Sequence, residues 1–400
     1  MTLALTPVQP AQAADPIRIG FSMALTGGLA AAGKAALIAM QIWAEDTNAA
    51  GGLLGRKVEL VFYDDQTNPS TVPGIYTKLI NLDKVDLVVS GYATNMIVPA
   101  MPVVMSKKMV FMALFGLAAN EKFQYDRYFQ IMPAGPEPKT DWSGHYFDLA
   151  MEQSPKPTTV ALVGADAEFA RNALDGARTN AEKKGLKIVY DKTYPPGTAD
   201  YTPIVRAIQA TNPDVIFVAS YPPDSAGMVR AANEVGLKAK MFGGGMVGLQ
   251  FASLMTKLGP MLNGIVNYDF WVPSPTLKFE GVDAFLKKYQ EKAPAAGVDP
   301  LGYYLPPYAY AYLQVLGSAV TAVGSLDQGK IADYIRDNEH DTVVGKVRFG
   351  KNGEWATPRV LMVQFQGVEG NEVEQFTKEG TRAVLYPKQW KHGDLQYPYK

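Results

Sequence analysis

An α/β fold built from two consecutive doubly wound halves is what this 400-residue sequence predicts. Strand and helix signals alternate from Asp15 onward, and the alternation starts again after the Pro- and Gly-containing stretch 133–138. Helical segments of about 10 to 15 residues separate the strands, which is the spacing of right-handed βαβ crossovers in mostly parallel sheets. Length alone, at roughly 150 residues per domain, gives two or three domains.

In the first half the run 17–23 (IRIGFSM) reads as a strand ending in the turn Thr26-Gly27-Gly28. Leu37, Met40 and Ala44 then share one helical face. Residues 58–63 form the next strand, closed by Asp64 and Asp65. A helix over 71–82, a buried strand over 86–90, a helix from about Asn95 and a strand over 109–112 follow. The second half repeats the rhythm, with strands at 159–164, 186–190, 215–219 and 240–242 and helices at 168–184, 202–210 and 224–235. Beyond Trp271 the pattern turns helical (282–292, 308–323, 328–336) and closes with strands at 344–349 and 360–365. The aromatic, Pro-containing segment 386–400 reads as an irregular strap over one half.

Composition removes several classes of function. Thirty-eight Lys and Arg against 39 Asp and Glu leave a formal charge of -1, without the basic excess that nucleic-acid binding needs. Cysteine is absent, so disulfides, thiolate nucleophiles and cysteine metal sites are excluded. His145, His340 and His392 are far apart and match no metal-ligand spacing, so neither metal nor cofactor is expected. No run of about 18 apolar residues appears, hence no membrane span is predicted. Residues 1–14 read as a residual signal peptide or a disordered tail, because Ala11-Gln12-Ala13 before Ala14 has the small-x-small form of a cleavage site.

One motif invites an enzymatic reading. GGGMVG at 243–248 matches the G-x-G-x-x-G dinucleotide fingerprint, with Asp269 about 20 residues on. It falls after three βα units of the second half instead of in a first βα turn, so a flexible loop at a strand's end is the expectation. A nucleotide-dependent α/β enzyme remains the rival from another class. Asp64-Asp65 suggests a metal or phosphoryl site, but without companion carboxylates a solvated turn is favoured.

Open α/β sheets bind ligands at the carboxyl ends of their strands. Three first-half loops lie there, 25–28, 90–95 and 113–117, and the first two lead into helices. Thr94 and Asn95 are cap-type residues, and free N–H groups at a helix start hold anions. Loops of the second half carry Phe169, Tyr221, Tyr268, Phe270 and Trp271, an apolar wall able to stack a ring.

These features resemble the extracytoplasmic solute-binding proteins of ABC importers, in the Leu/Ile/Val-binding class. The resemblance is carried by IRIG at 17–20, LTGG at 25–28, NAAGGLLGRKVEL at 48–60, YDD at 63–65, Asn68-Pro69 and the segment 88–99. Phe242-Gly243-Gly244 and Val343-Val344-Gly345 fall where later family motifs belong. It implies the type I periplasmic binding protein architecture: two Rossmann-like lobes joined by a three-crossover hinge, closing on a solute as a hinged trap. The crossovers are expected near Pro133, Trp271 and Phe349. Lobe 1 is then 15–133 with 272–348, lobe 2 is 134–271 with 349–375, and 376–400 is the strap.

By the same resemblance, Thr94 and Asn95, with Leu114, Phe115 and Gly116 beside them, hold the solute carboxylate. Phe169, Tyr221 and Trp271 face its body, with Tyr303 or Tyr304 a further candidate. The acidic residue with which amino acid binders hold an α-ammonium aligns on Gly245, and a bulky aromatic beside the solute aligns on Ala32. A buried ammonium without a carboxylate costs several kcal/mol or so. The chain is therefore expected to be a periplasmic, monomeric, non-enzymatic carrier that delivers an aromatic carboxylate, benzoate-like or phenylpropanoid, to an inner-membrane ABC permease. A branched-chain amino acid or an amide is the alternative solute, and it needs Asp166, Glu168 or Asp224 to reach the site.

Overall fold

The computed structural model describes residues 15–399, and the predicted leader, 1–14, lies outside the described residues. The first sheet has the order β2-β1-β3-β4-β5 and every pair is parallel. Its strands are β1 (Ile17–Met23), β2 (Val58–Asp64), β3 (Leu87–Tyr92), β4 (Phe111–Leu114) and β5 (Tyr128–Gln130). Helices α1 (Ala30–Ala49), α2 (Val72–Asn81) and α3 (Thr94–Ser106) connect the first four. β3 is buried along its whole length, as a central parallel strand covered on both faces must be. The Val72, Tyr76 and Leu79 face of α2 packs with α3 in a core separate from the one that α1 builds.

The second sheet has seven strands in the order β14-β13-β10-β9-β8-β6-β7. The parallel strands are β6 (Thr159–Ala165), β7 (Lys187–Tyr194), β8 (Val215–Ser220), β9 (Met241–Met246) and β10 (Val266–Asp269). Helices α4 (Pro138–Met151), α5 (Glu168–Lys183), α6 (Thr202–Ala210), α7 (Pro222–Val235) and α8 (Ala252–Leu258) pack around it. In α5, Ala170, Ala173, Leu174, Ala177 and Ala181 recur at helical spacing and are all buried. The chain then returns to the first lobe with α9 (Val282–Ala296), α10 (Pro306–Val323) and α11 (Gln328–Asp337), where α9 and α10 pack on α1. A hairpin of β11 (Glu339–Thr342) and β12 (Gly345–Arg348) follows. β13 (Leu361–Phe365) and β14 (Arg382–Tyr386) finish the second sheet antiparallel. The α/β doubly wound expectation is thereby met.

Two expectations are corrected. Residues 243–246 are not a flexible loop but the buried end of β9. A side chain at Gly243 would overlap the Val266 carbonyl of the neighbouring strand, and one at Gly244 the ring of Phe217. These glycines serve close packing and not a pyrophosphate. β14 ends at Tyr386, where the segment read as an irregular strap begins, and buried Arg382 reaches Asp269 at 3.1 Å at the end of β10. Asp64-Asp65 is not a solvated turn. Asp64 accepts from the Leu25 and Thr26 amides and the Thr26 hydroxyl, and buried Asp65 accepts from Ser22 Oγ at 3.1 Å and the Thr67 amide at 3.0 Å. The pair clips the loop after β1. Among the described residues no group of three or more His, Asp or Glu is arranged to hold a metal ion.

Two measurements check this packing. Gly176 of α5 rests on the Lys139 carbonyl of α4, which a methyl group would overlap. Helix propensity favours Gly→Ala by about 1 kcal/mol, but overpacking costs about 1–3 kcal/mol. Gly176→Ala should therefore lower the thermal midpoint, and an equal or higher midpoint would contradict the close approach. Burial, outweighing its hydrogen bonds, pushes the Asp65 carboxyl up to about 6. Because that lies above the unfolded value of about 3.9, the proton's contribution to stability is complete below about pH 4 and is lost as pH rises through 6. Denaturant unfolding from pH 4 to 7 should show a decline in the native chain that Asp65→Asn flattens. Equal slopes would refute the assignment.

Candidate functional site

A narrow cavity lies where the carboxyl ends of the two sheets face each other. Its first-lobe wall is Leu29, Tyr92, Ala93, Thr94, Phe115 and Met132. Opposite stand Trp142, Phe169, Tyr221, Val247 and Tyr268, with Tyr304 arriving from the segment before α10. About 20 Å³ is open to the centre of a water molecule, room for a water or so. A six-membered ring enters only when the walls part.

Local structure explains the presentation of these groups. Ala93 turns β3 into α3 with φ 84° and ψ 145°, and Phe115 leaves β4 at φ 64°. Such conformations disfavour L residues by about 1–3 kcal/mol and gather at ligand clamps. α3 starts at Thr94 in the cavity wall, and a helix start has amides without intrahelical partners and a dipole that favours negative charge. Thr94 is buried, and its Oγ1 accepts from the Leu117 amide at 3.0 Å while its own proton remains available. Asn95 reaches across the cleft, its Oδ1 accepting from the Tyr221 hydroxyl at 2.7 Å. Asn172 to the Leu117 carbonyl (2.9 Å) and Lys139 with Glu121 (2.6 Å) add further bridges.

Aromatic rings make the remaining surface. Phe169 meets Trp142 edge-on at 5.3 Å and Tyr221 at 5.8 Å. Phe115 packs on Phe270, Tyr304 and Tyr308 at 4.8, 5.3 and 5.2 Å. The Tyr268 and Tyr304 hydroxyls are 2.7 Å apart, and Tyr92 lines the same wall. Burial holds all three phenols above their ordinary range, hence neutral at any physiological pH. The buried indole N–H of Trp142 has no partner among the described residues.

Of the sequence-predicted residues, Thr94, Phe115, Phe169, Tyr221 and Tyr304 meet around this one cavity, with Asn95 joined to Tyr221. Leu114 lies behind the wall, its amide donating to Ser90 Oγ at 2.7 Å. Gly116 faces inward, its carbonyl accepting from Gln130 Nε2 at 2.8 Å. Gly245 sits under Trp142, 3.0 Å from where a Cβ would meet the indole. Trp271 is corrected: it packs on Tyr303 at 5.1 Å in a separate surface cleft. Its expected place is taken by Trp142, which sequence reasoning missed because it assigned no element between the stretch 133–138 and the strand at 159–164. Pro138 at the helix start, with Trp142, Tyr146, Leu149 and Ala150 on one face, was the available signal.

No residue of the cavity wall carries a charge. Exposed Asp166 and half-buried Glu168 are paired with Arg171 at 2.9 and 3.2 Å. Asp224 is held by the Tyr201 hydroxyl at 2.8 Å and the Tyr194 hydroxyl at 3.4 Å.

Two facing lobes with an aromatic cleft between them define a class: proteins that enclose a small molecule. The chain belongs to the periplasmic binding protein family, whose profile matches residues 16–371. It is a solute-binding protein of the ABC-importer class and not an enzyme, which removes the nucleotide-dependent reading of Gly243 to Gly248. It is similar to an amino acid binding protein of Pseudomonas aeruginosa, 27% identical over 78% of this chain and 80% of that one. The fold is also that of a branched-chain amino acid transporter substrate-binding protein of Streptococcus pneumoniae in complex with isoleucine (TM-score 0.75, 19% identity, 93% of this chain and 100% of that chain). A solute-binding protein of R. palustris in complex with benzoate superposes equally well (TM-score 0.76, 15% identity, 92% and 95%).

The Tyr221–Asn95 bond spans the cleft, and such a bond is worth about 0.5–1.5 kcal/mol. Tyr221→Phe should shift the lobes toward separation by a factor of about 2 to 10. Small-angle scattering should then give a larger radius of gyration, and an unchanged radius in both ligand-free proteins would deny the bond a part in closure.

Proposed function

We propose that this protein captures an aromatic carboxylate between its lobes and delivers it, as a periplasmic monomer, to an ABC permease. The moving bodies are residues 15–133 with 272–348 and residues 134–271 with 349–375. The uncharged, ring-lined cavity carries this reading. An amino acid would bury an ammonium with no carboxylate beside it, at a cost of several kcal/mol or more. A carboxylate alone needs only oriented donors, and the first amides of α3 with the Thr94 hydroxyl supply them. Phe169, Tyr221, Phe115 and Trp142 would then sandwich the ring.

Structural neighbours binding isoleucine and benzoate resemble this chain equally, so the fold does not choose between them. The wall chemistry is the discriminating support, since Asp166, Glu168 and Asp224 all have partners elsewhere. Closure would follow from differential affinity: a solute touching both walls favours the state in which both are near.

A thermal-shift panel of benzoate-like acids, aliphatic acids and amino acids tests the reading. A true solute at about 100 times its Kd adds about 2.7 kcal/mol of stability. Benzoate-type acids should raise the midpoint and leucine should not; the reverse pattern rejects the aromatic solute. Phe169→Ala should weaken the aromatic acid by about tenfold, from the ring contact it deletes.

A further inference from the structure

We infer that the solute's ring bears a hydroxyl, making it a phenolic acid, and that Tyr304, Tyr268, Tyr92 and Trp142 select that group. The inference rests on the aromatic-carboxylate reading and adds what the ring carries at its other end. Tyr268 and Tyr304 share a 2.7 Å hydrogen bond, and Tyr92 lines the same wall. All three residues are at most 3% exposed. Three hydroxyls bring three protons, and the one bond between Tyr268 and Tyr304 uses one of them. Two protons and several lone pairs at the cavity wall thus await a partner. Beside them, with ring centroids 4.7 Å apart, lies Trp142, whose indole N–H is buried and unpartnered among the described residues.

An unsubstituted ring seated against this wall would seal a donor and a hydroxyl terminus away from water without compensation. An oxygen that both accepts and donates relieves both at once. It takes the indole or tyrosine proton on a lone pair and gives its own proton to a tyrosine oxygen. A phenol has both capacities, an aryl ether only accepts, and a hydrocarbon does neither. The four side chains come from the end of β3, from α4, from β10 and from the segment before α10, so they meet only when the cleft is shut. Selection for the hydroxyl therefore acts on the closed state, the state that gains from solute binding. No charged residue lines the wall, so the guest phenol stays neutral and able to donate.

Titration calorimetry on the full chain, with benzoate, 3- and 4-hydroxybenzoate, 4-methoxybenzoate and leucine, tests the inference. At least one hydroxybenzoate should bind about tenfold or more tightly than benzoate, and the methoxy acid no better than benzoate. In Tyr304→Phe that advantage should shrink below about threefold. Trp142→Phe, which keeps a ring under the same wall, makes the same comparison should Tyr304→Phe fail to give a cooperative melt. Benzoate within about threefold of both hydroxybenzoates, or an undiminished hydroxyl advantage in the folded variants, overturns the inference while leaving the aromatic-carboxylate reading intact. Leucine binding with no aromatic acid bound brings down both.

Discussion

Parallel strands joined by right-handed crossovers deliver every βα loop to one edge of their sheet, and everything functional here depends on two such edges facing each other. Leu29, Phe115 and Met132 follow three strands of the first sheet, and Tyr92 ends a fourth. Phe169, Tyr221 and Val247 follow three of the second, and Tyr268 lies within a fourth. Residues more than 200 positions apart in the chain thereby become opposite walls of one space. Near the crossings, the Arg359 amide donates to the Pro133 carbonyl at 2.9 Å. Its guanidinium stacks between Phe279 and Trp355, each 4.7 Å away, and bonds the Tyr308 hydroxyl at 3.2 Å. Tyr308 in turn packs on Phe115, so the chain crossings and the cavity wall share a side chain's position.

Charge is arranged around that cleft instead of inside it. Asp64 and Asp65 clip the loop after β1, Arg382 anchors β14 to Asp269, and Lys139 with Glu121 spans the cleft outside the cavity. What remains at the centre is a set of rings, neutral hydroxyls, amides and one helix start. Such a surface can neutralise a carboxylate by dipoles without offering a counter-charge to an ammonium. The bridges across the cleft are few and individually small. A solute that touches both walls then needs only modest differential affinity to shift the lobe equilibrium.

Gly243 to Gly248 shows how a motif can mislead in isolation. The fingerprint spacing is present, but glycine is required there because Val266, Phe217 and Trp142 approach too closely for side chains. Gly245 in particular makes room for the indole that replaces Trp271 in the wall. The helix that a nucleotide loop would need does not begin until Ala252.

The strand and helix alternation, the two halves and the strand-end loops were legible because hydrophobic periodicity is local: β1, β8, α6 and α10 were readable nearly to their ends. So were Thr94, Phe115, Phe169 and Tyr221, since a residue just past a strand must lie at the binding edge. Short β5, polar-flanked α4 and edge strand β14 escaped because burial against partners distant in sequence, and not their own pattern, makes them elements. Trp142 in the wall, Trp271 outside it and the Tyr304–Tyr268 hydroxyl pair depend on how the two lobes meet. That meeting is set by packing between segments that no local pattern connects, so the composition of the edges was written in the chain while their pairing belonged to the tertiary structure.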